Sequence, residues 1–165
     1  MPGGYSAVVK MGPMELMKQR KNGTEYEVAM QGAKQNISAD DKAQLDAKAA
    51  LYDERYYLSN TAVKLNLKGI ETVDGKDAYD IEIVTPEGSS FHAFYDVKTG
   101  LKLQEVRQQE MGPMGKVNVT TFYKEYKEYN GVKIPVQIVV DLGPLKQDIT
   151  ITEVSINTGL SAAEL

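Results

Sequence analysis

Cysteine and tryptophan are absent from this 165-residue chain, and histidine occurs once. The first absence excludes disulfides, thiolate metal sites and cysteine nucleophiles together. A single histidine, His92, removes most histidine-based zinc sites as well, so neither a metal nor a cofactor is expected. No apolar run approaches the roughly 18 residues that a transmembrane helix needs. Basic charge is not in excess either: 19 Lys and Arg stand against 23 Asp and Glu, for a net charge of −4. The cations are scattered among acids, which argues against a nucleic-acid partner. The length suits a single domain, 1–165, with a core of its own. No basic segment followed by an apolar one precedes Met1-Pro2-Gly3-Gly4, so the chain reads as cytosolic or as a piece of an exported protein. Strand-like sequence begins almost at once, which favours the second.

What the chain does have is a repeated corner. Met11-Gly12-Pro13-Met14 returns as Met111-Gly112-Pro113-Met114, and Leu142-Gly143-Pro144-Leu145 is a variant of it. Proline fixes φ and lacks an N–H, glycine tolerates bends, and the pair interrupts a strand ladder and turns the chain. Apolar residues flanking such a corner are unusual, because hairpin tips normally face water. Met11, Met14, Met111 and Met114 therefore read either as an apolar rim on a curved sheet or as gap-filling core beside tight turns.

Residues Tyr5 to Met11, Glu15 to Lys21 and Thr24 to Met30 read as a meander of three short strands, with Asn22-Gly23 as a type I′ turn. The texture then changes. Ser38-Ala39-Asp40-Asp41 places a hydroxyl cap and two acids at a helix start, and the spacing predicts one long helix to about Tyr57. Leu45, Ala49, Tyr52 and Tyr56 would form its apolar stripe, which needs a sheet to lie on. Beyond it, turn signals recur at short intervals: Asp74-Gly75, Pro86-Glu87-Gly88, Thr99-Gly100, Gly112-Pro113, Asn130-Gly131 and Gly143-Pro144. These predict antiparallel hairpins in sequence order. Tyr79, Ile81 and Ile83 alternate with Asp80 and Glu82 to give one dry and one wet face, and Ile134, Val136, Ile138 and Val140 repeat the pattern. A parity change from Ile149 and Ile151 to Val154 and Ile156 predicts a bulge near Thr152 and Glu153, and hence curvature. The expected fold is α+β, mainly β: one strongly curved antiparallel sheet of about eight to ten strands, an incomplete barrel, wrapping one long helix.

Reactive groups are scarce. His92, in phase with Phe94, reads as a strand residue on the less buried face, hydrogen-bonded or solvated rather than catalytic. Asp40-Asp41 and Asp53-Glu54 are explained by capping and a solvated helix face more simply than by calcium or acid–base chemistry. In Tyr123-Lys124-Glu125-Tyr126-Lys127-Glu128-Tyr129 the alternating charges cancel the field that single-stranded nucleic acid requires. Ten tyrosines against three phenylalanines suggest many rings that keep a hydroxyl at a wet boundary.

An ordered series in the second half carries a family resemblance: Gly75-Lys76-Asp77-Ala78-Tyr79, Tyr95-Asp96-Val97-Lys98-Thr99-Gly100-Leu101 and Tyr129-Asn130-Gly131-Val132-Lys133-Ile134-Pro135, with Glu153-Val154-Ser155-Ile156-Asn157 closing it. It resembles the LolA/LolB-like lipoprotein-carrier superfamily of the bacterial envelope. More narrowly, it is similar to the domain that follows insulinase-type zinc peptidase domains in Bacteroidetes-like exported proteins. The resemblance covers roughly Leu65 to Leu160. It implies an incomplete barrel closed by helical lids, an interior that accepts acyl chains, and export to the periplasm or cell envelope. The chain departs from complete carriers in lacking their early strands and in having no tryptophan, which leaves open a hollow or a filled interior. The histidine pair and glutamate of such a peptidase are not in this chain, so any peptidase activity would belong to an adjacent domain. The expected function is a non-catalytic envelope domain binding an acyl chain or hydrophobic peptide. Its candidate lining is Tyr79, Ile81, Ile83, Ile134, Val136, Ile138 and Val140 from the sheet, and Leu45, Ala49, Tyr52 and Tyr56 from the helix. The alternative is a structural or protein-interaction module with a filled core.

Overall fold

A computed structural model describes residues 4–50, 52–110, 115–143 and 145–156. These fall into two compact units, residues 4–63 with 85–89, and residues 64–84 with 90–156.

The first unit opens with a four-stranded antiparallel meander of β1 (Gly4–Met11), β2 (Met14–Asn22), β3 (Glu25–Met30) and β4 (Ala33–Lys34), paired in that order. The three predicted strands are all present. The turn at their second junction differs from expectation: Asn22 is the last strand residue, paired with Glu25, and Gly23 and Thr24 make the bend. Only Gly23 takes positive φ, the sign pattern of a type II′ rather than a I′ turn.

Ser38 caps α1 (Ala39–Lys48) with a complete capping box. Its Oγ accepts from the Asp41 N–H at 3.1 Å, and Asp41 Oδ2 accepts from the Ser38 N–H at 3.0 Å. The expected single helix does not continue. Ala49 closes α1, Tyr52 is extended, and α2 (Asp53–Ser59) starts afresh with Asp53 and Glu54 in its first turn. That acidic pair is a second helix start, because carboxylates favour the positive end of a helix. The break also disperses the predicted stripe: Leu45 is buried, Ala49 and Tyr56 are half-buried, and Tyr52 is exposed while Tyr57 is buried instead. Helix α1 lies on the four-stranded sheet. Tyr26 donates its hydroxyl to Asp46 Oδ1 at 2.8 Å, Lys21 Nζ lies 3.4 Å from the same oxygen, and Lys48 donates to Gln19 at 3.1 Å. Burial and the Asp46 hydrogen bond push the Tyr26 phenol up to about 12.

The second unit is a seven-stranded antiparallel sheet of β5 (Lys64–Val73), β6 (Lys76–Val84), β7 (Ser90–Asp96), β8 (Lys102–Glu110), β9 (Lys116–Tyr129), β10 (Val132–Asp141) and β11 (Lys146–Thr150). Every strand pairs with its sequence neighbours, as the turn signals predicted. Asp74-Gly75 and Asn130-Gly131 both take positive φ at their two residues, which is the I′ geometry. The fold is thus mainly β and antiparallel, but it has two sheets where one was expected. Turn chemistry identifies which strands are neighbours within a run; it does not say whether runs separated by helices join edge to edge.

Two further corrections concern register. The predicted bulge at Thr152 and Glu153 does not form, because β11 ends at Thr150 and only one more ladder bond follows, from the Ile151 N–H to the Val136 carbonyl. The bulges of this sheet lie in β5 at Lys68 and in β8 at Leu103, where one strand carries an extra residue. On β6 the expected wet face is partly dry: Ala78 and Asp80 are buried on it, while Tyr79 on the other face is exposed. Asp80 is tolerated there because His92 Nδ1 lies 2.7 Å from its Oδ1. His92 shares that face with Phe94 as predicted, with the two rings stacked at 6.3 Å; His92 is half-buried, and on β7 its face is the less buried one, since Phe91 and Ala93 on the other side are almost fully buried.

Candidate ligand-binding cleft

At the end of the large sheet that carries the β5–β6 turn, the strands curl towards the face of Ala78, Asp80 and Phe94. Lys124 of β9 reaches Asp74 of that turn, with Nζ 3.2 Å from Oδ2. In a flat sheet these positions would lie about 17 Å apart, three to four strand spacings, which is further than the two side chains together extend. The bulges at Lys68 and Leu103 add the local twist that closes this distance. Inside the curl Val73, Ala78 and Phe94 form a buried cluster, with Leu103 and Val106 packed against it.

The curl leaves a cleft of about 420 Å³. Val73, Leu101, Leu103 and Tyr126 give it apolar walls, Asp74 and Lys124 close one side, and Lys76, Asp96, Thr99 and Glu125 also border it. Tyr126 is fixed by donating its hydroxyl to the Lys102 carbonyl at 2.8 Å, while on the opposite face of the sheet the Lys102 ammonium lies 5.1 Å from the centre of the Tyr123 ring. Asp96 anchors the floor turn by accepting from the Lys98 and Thr99 N–H groups, each at 2.8 Å. The Thr99 N–H above all holds its carboxyl below the usual carboxylate range. The motif Tyr95 to Leu101 is therefore a built Asx turn at the rim of a cleft. A second cleft, of about 340 Å³, lies in the first unit; it is lined by Arg20, Glu25, Glu27, Lys34 and other largely polar residues and offers an apolar ligand little.

None of the sequence-predicted lining residues lies on either cleft. The ladder registers place Tyr79, Ile81, Ile83, Ile138 and Val140 together on the opposite face of the large sheet. Ile83 and Val136 are buried, and Ile81, Ile134, Ile138 and Val140 are half-buried. Leu45, Ala49, Tyr52 and Tyr56 belong to the first unit. Met14 is exposed beside the Gly12-Pro13 hairpin turn, and Leu145 is exposed at the corresponding corner before β11. Neither has the burial of a gap-filling core residue. The side chain of Met11, the residues Met111 and Met114, and Pro144 lie outside the described residues.

Sequence reasoning missed the groups that interrupt the opposite face. Lys102, Glu105 and Arg107 of β8 pair with Tyr95, Ala93 and Phe91, between the apolar rows of β6 and β10. Glu105 is buried, contacts the Arg107 guanidinium and lies 3.7 Å from Lys102 Nζ, while Arg107 stacks on Phe91 at 3.3 Å from the ring centre. The bulge at Leu103 brings Lys102 into phase with Glu105, and strict alternation along the sequence conceals this. Among the described residues, no cluster of three or more His, Asp or Glu side chains converges as a metal site would. No helix among them is long and apolar enough to cross a membrane.

No family model matches the chain, and no curated protein matches it. Among solved structures the chain is similar to a LolA superfamily protein from Nitrosomonas europaea, at 13% identity and a TM-score of 0.49. The match covers 86% of this chain and 66% of that protein, so the chain spans about two thirds of its length. A likeness of this degree is one of outline.

Proposed function

We propose that the chain is a non-catalytic, ligand-binding domain of the bacterial cell envelope or periplasm, which holds an acyl chain or a hydrophobic peptide segment in the curled end of its large sheet. The observation that carries this reading is the cleft itself, with apolar walls from Val73, Leu101, Leu103 and Tyr126 and one flank closed by Asp74 and Lys124. Concave, mostly apolar sites with a few placed polar groups are where small ligands bind. The ordered turn motifs from Gly75 to Pro135 support the envelope setting through their resemblance to lipoprotein carriers. The same resemblance supports a place beside an insulinase-type peptidase domain in a longer protein. An uninterrupted reading frame upstream encoding a His-x-x-Glu-His helix would bear that out, and a signal peptide directly upstream would refute it.

Displacement of a fluorescent fatty acid, together with organic extraction and mass spectrometry of the purified chain, tests the ligand. Leu103→Asp, in the cleft wall, is expected to abolish binding, and Val140→Asp, on the opposite face, to leave it intact. Loss with Val140→Asp alone would move the site to the other face. A parent chain that carries and binds no lipid and no hydrophobic peptide would overturn the proposal in favour of an interaction module with a filled core.

A further inference from the structure

The outer edge of β5 matches itself. Among the described residues β5 is the last strand of the large sheet and pairs only with β6, so one row of its N–H and C=O groups is open to a further strand. Its side chains are correspondingly bare: Leu65, Leu67 and Ile70 are 42%, 64% and 58% exposed. Leu65, Leu67 and Ile70 face Ile83, Ile81 and Tyr79 on β6, so the bulge at Lys68 puts all three on one face despite their uneven spacing. Lys64 and Glu71 face Val84 and Ala78, and so share the other face.

We infer that two copies of this chain pair through β5 in an antiparallel, two-fold symmetric strand addition. With the dyad at Leu67 and the extra residue Lys68 bulged out of each strand, Lys64 of each copy stands opposite Glu71 of the other. Leu65 then stands opposite Ile70, and Leu67 meets its own symmetry mate. Both faces match at once: two opposite-charge pairs on one, and six apolar side chains on the other, twice Leu65, Leu67 and Ile70. A two-fold interface requires this self-complementarity, and cross-strand pairs of these kinds are the ones that stabilise a sheet. Lysines on an edge strand ordinarily discourage strand addition. Here Lys64 meets an acid in the partner, and Lys68 is already occupied by Glu82 of its own copy at 3.5 Å. The pairing leaves the cleft at the curled end of the sheet to its own ligand.

Sedimentation equilibrium of the 165-residue chain over roughly 10 μM to 1 mM tests the pairing, a range suited to a small interface with a Kd in the micromolar to millimolar region. The mass is expected to rise towards that of a dimer. Lys64→Glu and Glu71→Lys, each alone, set like charges opposite one another twice and should weaken association roughly tenfold. The doubly reversed variant should restore it, and an equimolar mixture of the two single variants should form a heterodimer. Leu67→Lys places two ammonium groups at the dyad and should give a monomer; Leu67 is exposed, and circular dichroism checks that the variant is folded. A parent chain monomeric at 1 mM would overturn the inference, as would a dimer indifferent to these substitutions.

Discussion

Replacing Phe94 by alanine separates the two devices that hold the curled end of the large sheet, apolar packing and the Asp74–Lys124 ion pair. Phe94 is 8% exposed and packs with Val73, Ala78, Leu103 and Val106. Removing a buried phenylalanine ring costs about 3–5 kcal/mol through lost transfer energy and the cavity left behind. A domain of this size has only about 5–15 kcal/mol in total. At roughly 2–4 °C per kcal/mol, the midpoint should fall by about 6–20 °C. Asp74→Ala removes a pair whose side chains are 59% and 43% exposed. Such pairs contribute about 0–1 kcal/mol, so that variant should melt within a few degrees of the parent. Thermal and urea unfolding followed by far-ultraviolet circular dichroism measure both. A Phe94→Ala variant within 1 kcal/mol of the parent, or an Asp74→Ala variant as damaged as it, would refute the assignment of the curl to packing.

Three other outcomes are expected. Ser38→Ala removes the hydroxyl that accepts from Asp41, and should cost about 1 kcal/mol in chemical denaturation; an unchanged midpoint would count against the capping box. Asp96 is held below its unfolded value by the Thr99 and Lys98 N–H groups. Its contribution is therefore present above about pH 4 and lost as pH falls through the lower folded value. Asp96→Asn keeps an accepting oxygen but cannot titrate, so its melting temperature should fall less between pH 6 and pH 2, and parallel curves would contradict this. Glu82, lowered chiefly by Asn66, and Asp141, lowered chiefly by Lys146, act in the same direction in both proteins. At the alkaline end Tyr26 titrates near 12, so the stability it supplies is lost as pH climbs from about 10 towards that value. Tyr26→Phe should delete the latest phenolate step in absorbance at 295 nm, and persistence of that step would show that another tyrosine is the hindered one.

What could be read from the sequence was local. The Ser38–Asp41 capping box, the strand meander on either side of the helices and the I′ turns at Asp74-Gly75 and Asn130-Gly131 depend on residues within a few positions of one another, and their chemistry is written in order. The resemblance, which begins near Leu65, starts where the seven-stranded sheet does. Tertiary structure decided the rest. The helix breaks between Ala49 and Tyr52 without glycine or proline, in a stretch where Tyr57 becomes buried while Tyr52 does not; its only local sign is the acidic pair Asp53-Glu54. The two runs of strands form two separate sheets, which turn chemistry does not show. Asp80 is buried where His92, twelve positions away, gives it a hydrogen-bond partner. The cleft exists because extra residues at Lys68 and Leu103 curl the sheet until Lys124 meets Asp74 across fifty positions of chain. Short-range hydrogen bonds and dihedral preferences are properties of neighbours, whereas burial, bulge placement and curvature are set by which distant surfaces share the cost of leaving water.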